Sequence, residues 1–115
     1  LMANFVDFDS MYGHRRNAQG YAQCLEDFDS MLGELLPLLQ DDELVMITSD
    51  HGNDPTMSGT DHTREEVPLV VYSPSLTEST DLGTRLTFAD LGQTIMHNFD
   101  VGKLPFGTSF LNDLK

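Results

Sequence analysis

Two short runs, "ELVMITS" (Glu43 to Ser49) and "VPLVVYS" (Val67 to Ser73), carry their apolar residues consecutively instead of at alternate positions. A strand with one wet face alternates, whereas a strand buried on both faces reads as a continuous apolar stretch. Such strands must be covered above and below, and this constrains the fold more than any other feature of the chain. A third run, "ANFVDF" (Ala3 to Phe8), is read as another strand. Between Phe8 and Glu43, Tyr21, Cys24, Leu25, Phe28, Met31, Leu32, Leu35 and Leu36 recur at spacings of three and four. That spacing predicts a helix with one buried stripe, Asn17 as its N-cap and Pro37 near its end. A second helix is expected from about Thr87 to Phe99, with Phe88, Leu91, Ile95, Met96 and Phe99 inward. The tail "LPFGTSFLNDLK" suggests no more than one short element.

The order strand, helix, strand, loop, strand, helix predicts an α/β fold with a mostly parallel sheet flanked by helices. Two helices cannot cover both faces of three such strands. The chain also opens with Leu1, inside an apparent strand. The expectation is therefore a C-terminal portion of a larger core domain, residues 1–115, with an N-terminal portion missing.

Charge excludes some partners. Six basic and 19 acidic residues give a formal charge of -13, which repels nucleic acid and anionic membrane surfaces. No apolar stretch approaches the roughly 20 residues needed to cross a bilayer, and the first residues do not form a signal peptide. The single cysteine, Cys24, excludes an internal disulfide and suits a reducing compartment. These features predict a soluble, cytoplasmic protein, with Cys24 and the methionines packed in its core.

The polar residues with chemical potential collect at the predicted strand ends. In chain order, Asp7 and Asp9 fall at the end of the first strand, Ala3 to Phe8, with His14 in the next loop. Asp50 and His51 follow the second, and Asp61 and His62 precede the third. In open α/β sheets ligands bind beyond the carboxyl ends of the strands. Carboxylates and imidazoles without cysteine suit manganese, zinc or iron, and lean away from a closed structural zinc site. Three histidines and several aspartates exceed one tetrahedral shell, so two metals are expected, an arrangement suited to phosphoryl transfer. Any one of these residues alone reads more readily as a surface histidine or a turn-forming aspartate; their convergence carries the reading. Arg15 and Arg16 are open between phosphate contacts and partners for acidic neighbours. Asp7, Asp61 and Asn53 are candidates for orienting ligands from behind; Asp7 is equally placed to face away. His97 reads as structural.

The segments "VDFDSMYGHRR" (Val6 to Arg16), "ITSDHGNDPT" (Ile47 to Thr56) and "GTDHTREEVPLVVYSP" (Gly59 to Pro74) resemble the metal-binding motifs of the phosphopentomutase family, within the alkaline phosphatase superfamily. "DHGN" alone is shared with cofactor-independent phosphoglycerate mutases. In those, the aspartate and histidine of the first motif are one residue closer and lack the following arginine pair. The resemblance implies that Asp9, His14 and His62 hold one Mn²⁺, and that Asp50 and His51 hold part of the shell of a second. It implies a further aspartate, a phosphorylated threonine and a cap domain from a segment outside this chain; Thr63 reads as an ordinary loop hydroxyl and not as that threonine. The activity implied is interconversion of ribose or deoxyribose 5-phosphate and 1-phosphate, to which this chain alone would contribute ligands without turnover. The alternatives are another metal-dependent mutase or phosphatase of the superfamily, or a non-catalytic metal-binding module.

Overall fold

The structure is a computed structural model describing residues 1–115. It divides into two compact units, Leu1–Tyr72 and Ser73–Lys115.

In the first unit, helix α1 spans Ala18–Leu35. Its start follows from the sequence: Asn17 leaves the helical conformation and its side-chain oxygen accepts a hydrogen bond from Gly20 N at 3.0 Å, satisfying one of the orphan donors of the first turn. Pro37 lies within a short 3₁₀ turn, Leu36–Leu38, that closes the helix. One row of the expected stripe, Tyr21, Cys24, Phe28, Leu32 and Leu36, is half-buried, while Leu25, Met31 and Leu35 are exposed.

The expected strand over Ala3 to Phe8 does not form. Residues 1–5 are irregular and Phe8–Gly13 is a π-helical turn, closed by Ser10 N donating to Val6 O and His14 N to Asp9 O, both at 2.9 Å. A strand is stabilised by a neighbour, and here the apolar side chains find α1 instead. Phe5 and Phe8 stack edge-on against Phe28, with centroids 5.1 and 6.1 Å apart, and Phe8 also meets Tyr21 at 5.4 Å, geometry that aromatic rings prefer.

The other two strands lie inside their predicted runs: β1 is Val45–Thr48 and β2 is Leu69–Tyr72. They form a two-stranded antiparallel sheet in which Val45 pairs with Tyr72 and Thr48 with Leu69. The parallel arrangement expected for them is therefore corrected. A parallel pair needs a crossover, usually a helix, but residues 49–68 contain no helix and fold back as a loop, stapled by an antiparallel bridge between Gly52 and Thr63.

In the second unit, α2 spans Ala89–Asn98, within the predicted range but turned differently. Its buried residues are Asp90, Gln93 and Thr94, while of the residues expected inward Leu91 and Met96 are half-buried and Phe88, Ile95 and Phe99 are exposed. The polar face is buried because the returning chain runs along it and presents backbone donors. Thr108 N bonds Asp90 Oδ1 at 2.8 Å, Leu104 N bonds Gln93 Oε1 at 2.8 Å, and Phe110 N bonds Thr94 Oγ1 at 3.0 Å. Each of these buried polar side chains thus accepts from a backbone N–H. Arg85 completes the unit, donating from Nε to Asp90 Oδ2 at 2.8 Å and lying 5.5 Å over the Phe110 ring.

Phe110, from the tail, is the one fully buried large apolar side chain. The packed core expected around the methionines is not found: Met2, Met11, Met31 and Met57 are exposed, and Cys24 is half-buried. No helix is long and apolar enough to cross a membrane.

Candidate metal centre

Three segments of the first unit deliver the donors. Asp9 and His14 stand on and just after the π-helical turn. His51 follows β1 by three residues, and His62 lies on the far arm of the loop that returns to β2. The Gly52–Thr63 bridge holds the two arms of that loop together, with Thr63 N donating to Gly52 O at 3.3 Å. It thereby sets His51 beside His62, their rings stacked 3.7 Å apart and 18° from parallel.

Asp9, His14 and His62 form a tight triangle. Asp9 Oδ2 is 3.2 Å from His14 Nε2, Asp9 Oδ1 is 3.4 Å from His62 Nε2, and the two Nε2 atoms are 3.1 Å apart. His14 Nδ1 faces the carbonyl of Thr60, which assigns the ring proton to Nδ1 and leaves Nε2 a lone pair. His51 likewise turns Nδ1 to Gly52 O at 3.2 Å. Its ligating atom joins those of Asp9 and His62 in a group lying within 4.8 Å of one another.

This donor set fits a metal. Bonds of about 2.1 Å from a common ion place neighbouring donors about 3.0 Å apart in an octahedron and about 3.4 Å apart in a tetrahedron, and the distances of the two Nε2 atoms from each other and each from one of the two Asp9 oxygens fall in that range. With the His14 proton on Nδ1, its Nε2 lone pair converges with the Asp9 carboxylate and with His62 Nε2, an arrangement suited to a cation. Burial acts to raise the Asp9 carboxyl, but the Asn53 hydrogen bond and the electrostatic influence of the neighbouring His14, His62 and His51 side chains outweigh it and hold Asp9 below the usual carboxylate range. Asp9 is consequently an anion when a cation arrives.

Asp50 stands apart. Its carboxylate is 86% exposed and comes within 3.7 Å of His51 Nε2 alone, so the structure gathers Asp9, His14, His51 and His62 but leaves Asp50 at the rim.

Residues behind the donors divide differently from the sequence reading. Asn53 does orient a donor: its Nδ2 donates to Asp9 Oδ1 at 2.7 Å. Asp7 does not; it is exposed and lies near Cys24, whose thiol is pushed up by burial and by the carboxylates of Asp7 and Asp27. Asp61 contributes its backbone carbonyl, which accepts from Arg16. Arg16 is spent on the loop and not on acidic side chains, and the exposed Arg15 reaches Ser10 O at 3.4 Å. Thr63 Oγ1 accepts from Asp54 N at 2.7 Å, a loop hydroxyl as expected. His97, in the second unit, bonds Ser109 Oγ at 2.9 Å. The Thr60 carbonyl that orients His14 left no sequence signal, because any residue supplies a carbonyl.

The sequence profile of the Metalloenzyme superfamily matches residues 1–103. The chain belongs to the Metalloenzyme superfamily. Among curated members it is similar to the phosphopentomutase of Levilactobacillus brevis, 59% identical over 112 residues, which cover 97% of the chain and 28% of that protein. Phosphopentomutases of two Limosilactobacillus reuteri strains are 57% identical over 112 residues, or 96% of the chain and 28% of each. The chain thus spans 28% of the length of these relatives. The likeness to phosphopentomutases read from three short segments extends over nearly all of this member of the Metalloenzyme superfamily.

Proposed function

We propose that the chain is the C-terminal portion of the metal-binding core of a cytoplasmic phosphopentomutase, acting on ribose or deoxyribose 5-phosphate and 1-phosphate. The observation that carries this is the triangle of Asp9, His14 and His62, formed by the segments that match curated phosphopentomutases. In this reading Asp9, His14 and His62 hold one Mn²⁺, while Asp50 and His51 hold part of the shell of a second. The remaining ligands, the phosphothreonine that donates and recovers the phosphoryl group, and the cap over the sugar come from an N-terminal segment of the same protein.

A metal held by these residues would supply charge neutralisation for phosphoryl transfer. This chain's residues prepare for it. Asn53 holds the Asp9 carboxylate in one orientation, and the Thr60 and Gly52 carbonyls hold the His14 and His51 rings in the tautomer that offers Nε2. The exposed Asp50 is available to the second ion.

A substrate panel on the intact protein tests the proposal. Pentose 5-phosphates and 1-phosphates are expected to interconvert faster than phosphoglycerate is isomerised or a generic phosphomonoester is hydrolysed. Preference for either of the latter would refute the pentose assignment.

A further inference from the structure

Arg16 is half-buried and sits in the left-handed backbone region at φ 51°. Side chains with a Cβ rarely adopt that conformation, and it persists where the surroundings hold it. The surroundings here are five acceptors. Nε donates to Gly59 O at 2.6 Å; one terminal nitrogen donates to Asn53 Oδ1 at 2.7 Å, to Asp54 O at 2.8 Å and to Gly13 O at 3.3 Å; the other donates to Asp61 O. Gly13 precedes His14, and the other four acceptors line the loop between His51 and His62. A single guanidinium therefore ties the turn bearing Asp9 and His14 to the loop bearing His62. The tie reaches the cluster by one further bond, since Asn53, fixed by Arg16 through Oδ1, donates from Nδ2 to Asp9 Oδ1, the oxygen that faces His62.

We infer that Arg16 is a positioning residue of the metal centre: it sets the spacing of Asp9 and His62 by clasping the loop, and touches neither the ion nor the substrate phosphate. The identity of the ion rests on the function proposed above; the clasp is a property of the loop. Coulomb's law gives the inference a distinctive sign. Removing a nearby cation should tighten binding of another cation if charge alone mattered, whereas loss of a clasp weakens it. A lysine presents one compact ammonium and cannot span acceptors spread over nine residues.

The test compares Arg16→Met, Arg16→Lys and Arg15→Met in the intact protein by two readouts: amide hydrogen exchange without metal, and calorimetric titration with Mn²⁺. Arg16→Met is expected to speed exchange at Asp54 and Thr63 and to weaken Mn²⁺ binding at one site by about 10- to 100-fold, the usual range for a lost partner of a ligand. Arg16→Lys is expected to recover only part of both, and Arg15→Met to change neither. Unchanged exchange at Asp54 and Thr63, unchanged or tighter Mn²⁺ binding, or a rise confined to KM for pentose phosphate would overturn the inference. If Arg16→Met does not fold, Arg16→Lys decides, with wild-type exchange and affinity counting against it. If the wild-type protein binds no Mn²⁺ or ignores pentose phosphates, the functional proposal fails while the exchange comparison still judges Arg16.

Discussion

Gly13→Ala should damage the metal centre although Gly13 has no side chain to offer it. Gly13 is buried against Asn53, and an added Cβ would stand 2.5 Å from Asn53 Nδ2, 3.1 Å from its Cγ and 3.0 Å from the Phe8 carbonyl. Because Gly13 is not among the glycines with positive φ, alanine is tolerated by the backbone and the effect is purely one of space. Ordinary contact requires about 3.5 Å, so Nδ2 must retreat by about 1 Å. That stretches its 2.7 Å bond to Asp9 Oδ1 beyond hydrogen-bond range. A hydrogen bond to a charged acceptor contributes about 1.5–3 kcal/mol, which corresponds to roughly 10- to 100-fold in affinity where the loss falls on the bound state. Calorimetric titration of the intact variant with Mn²⁺ should show this weakening at one of two sites, with α1 intact by circular dichroism. Wild-type affinity at both sites would refute the claim that Asn53 holds Asp9 in place.

Three further outcomes follow from other parts of the chain. His62→Ala in the intact protein should lower the Mn²⁺ stoichiometry and abolish detectable mutase turnover; substantial activity would contradict the ligand assignment. Asp90, only 7% exposed, has its pKa lowered chiefly by the Thr108 N–H, against the opposing effect of burial, with Arg85 adding to the lowering. Its contribution is fully present above the unfolded carboxylate pKa of about 3.9 and is lost as pH falls through the depressed folded value. Melting temperature should therefore decline below about pH 4, and Asp90→Asn should cost about 2–3 kcal/mol at neutral pH while flattening that decline. Asn17→Ala, which removes the cap on Gly20 N, should cost about 1 kcal/mol by chemical denaturation, and no change would mean the cap is satisfied by water.

Much of the first unit was legible because its signals are local. The cap at Asn17, the spacing of Tyr21, Cys24, Phe28 and Leu32, and the apolar runs at Val45 and Leu69 depend on neighbours in sequence. Strand direction does not: it is fixed by whether the intervening chain crosses over or folds back, and the Gly52–Thr63 bridge that decides this carries no residue signature. The run around Phe5 and Phe8 was misread because apolar periodicity cannot say whether a ring will meet a strand or a helix; here α1 supplied the surface. On α2, hydrophobicity pointed to the wrong face, since Asp90, Gln93 and Thr94 are buried by hydrogen bonds to a later segment that composition does not reveal. The site shows the same division. Asp9, His14, His51 and His62 announce themselves by residue type, whereas the support from Arg16, Gly13 and the Thr60 carbonyl rests on backbone atoms brought together only by folding.

The most direct test of the account is anomalous diffraction at the manganese edge from crystals of the intact protein soaked in Mn²⁺. The account predicts two peaks, one within bonding distance of Asp9, His14 and His62 and the other within bonding distance of Asp50 and His51. A peak that leaves out Asp9 or His62, or no peak against this cluster, would contradict it.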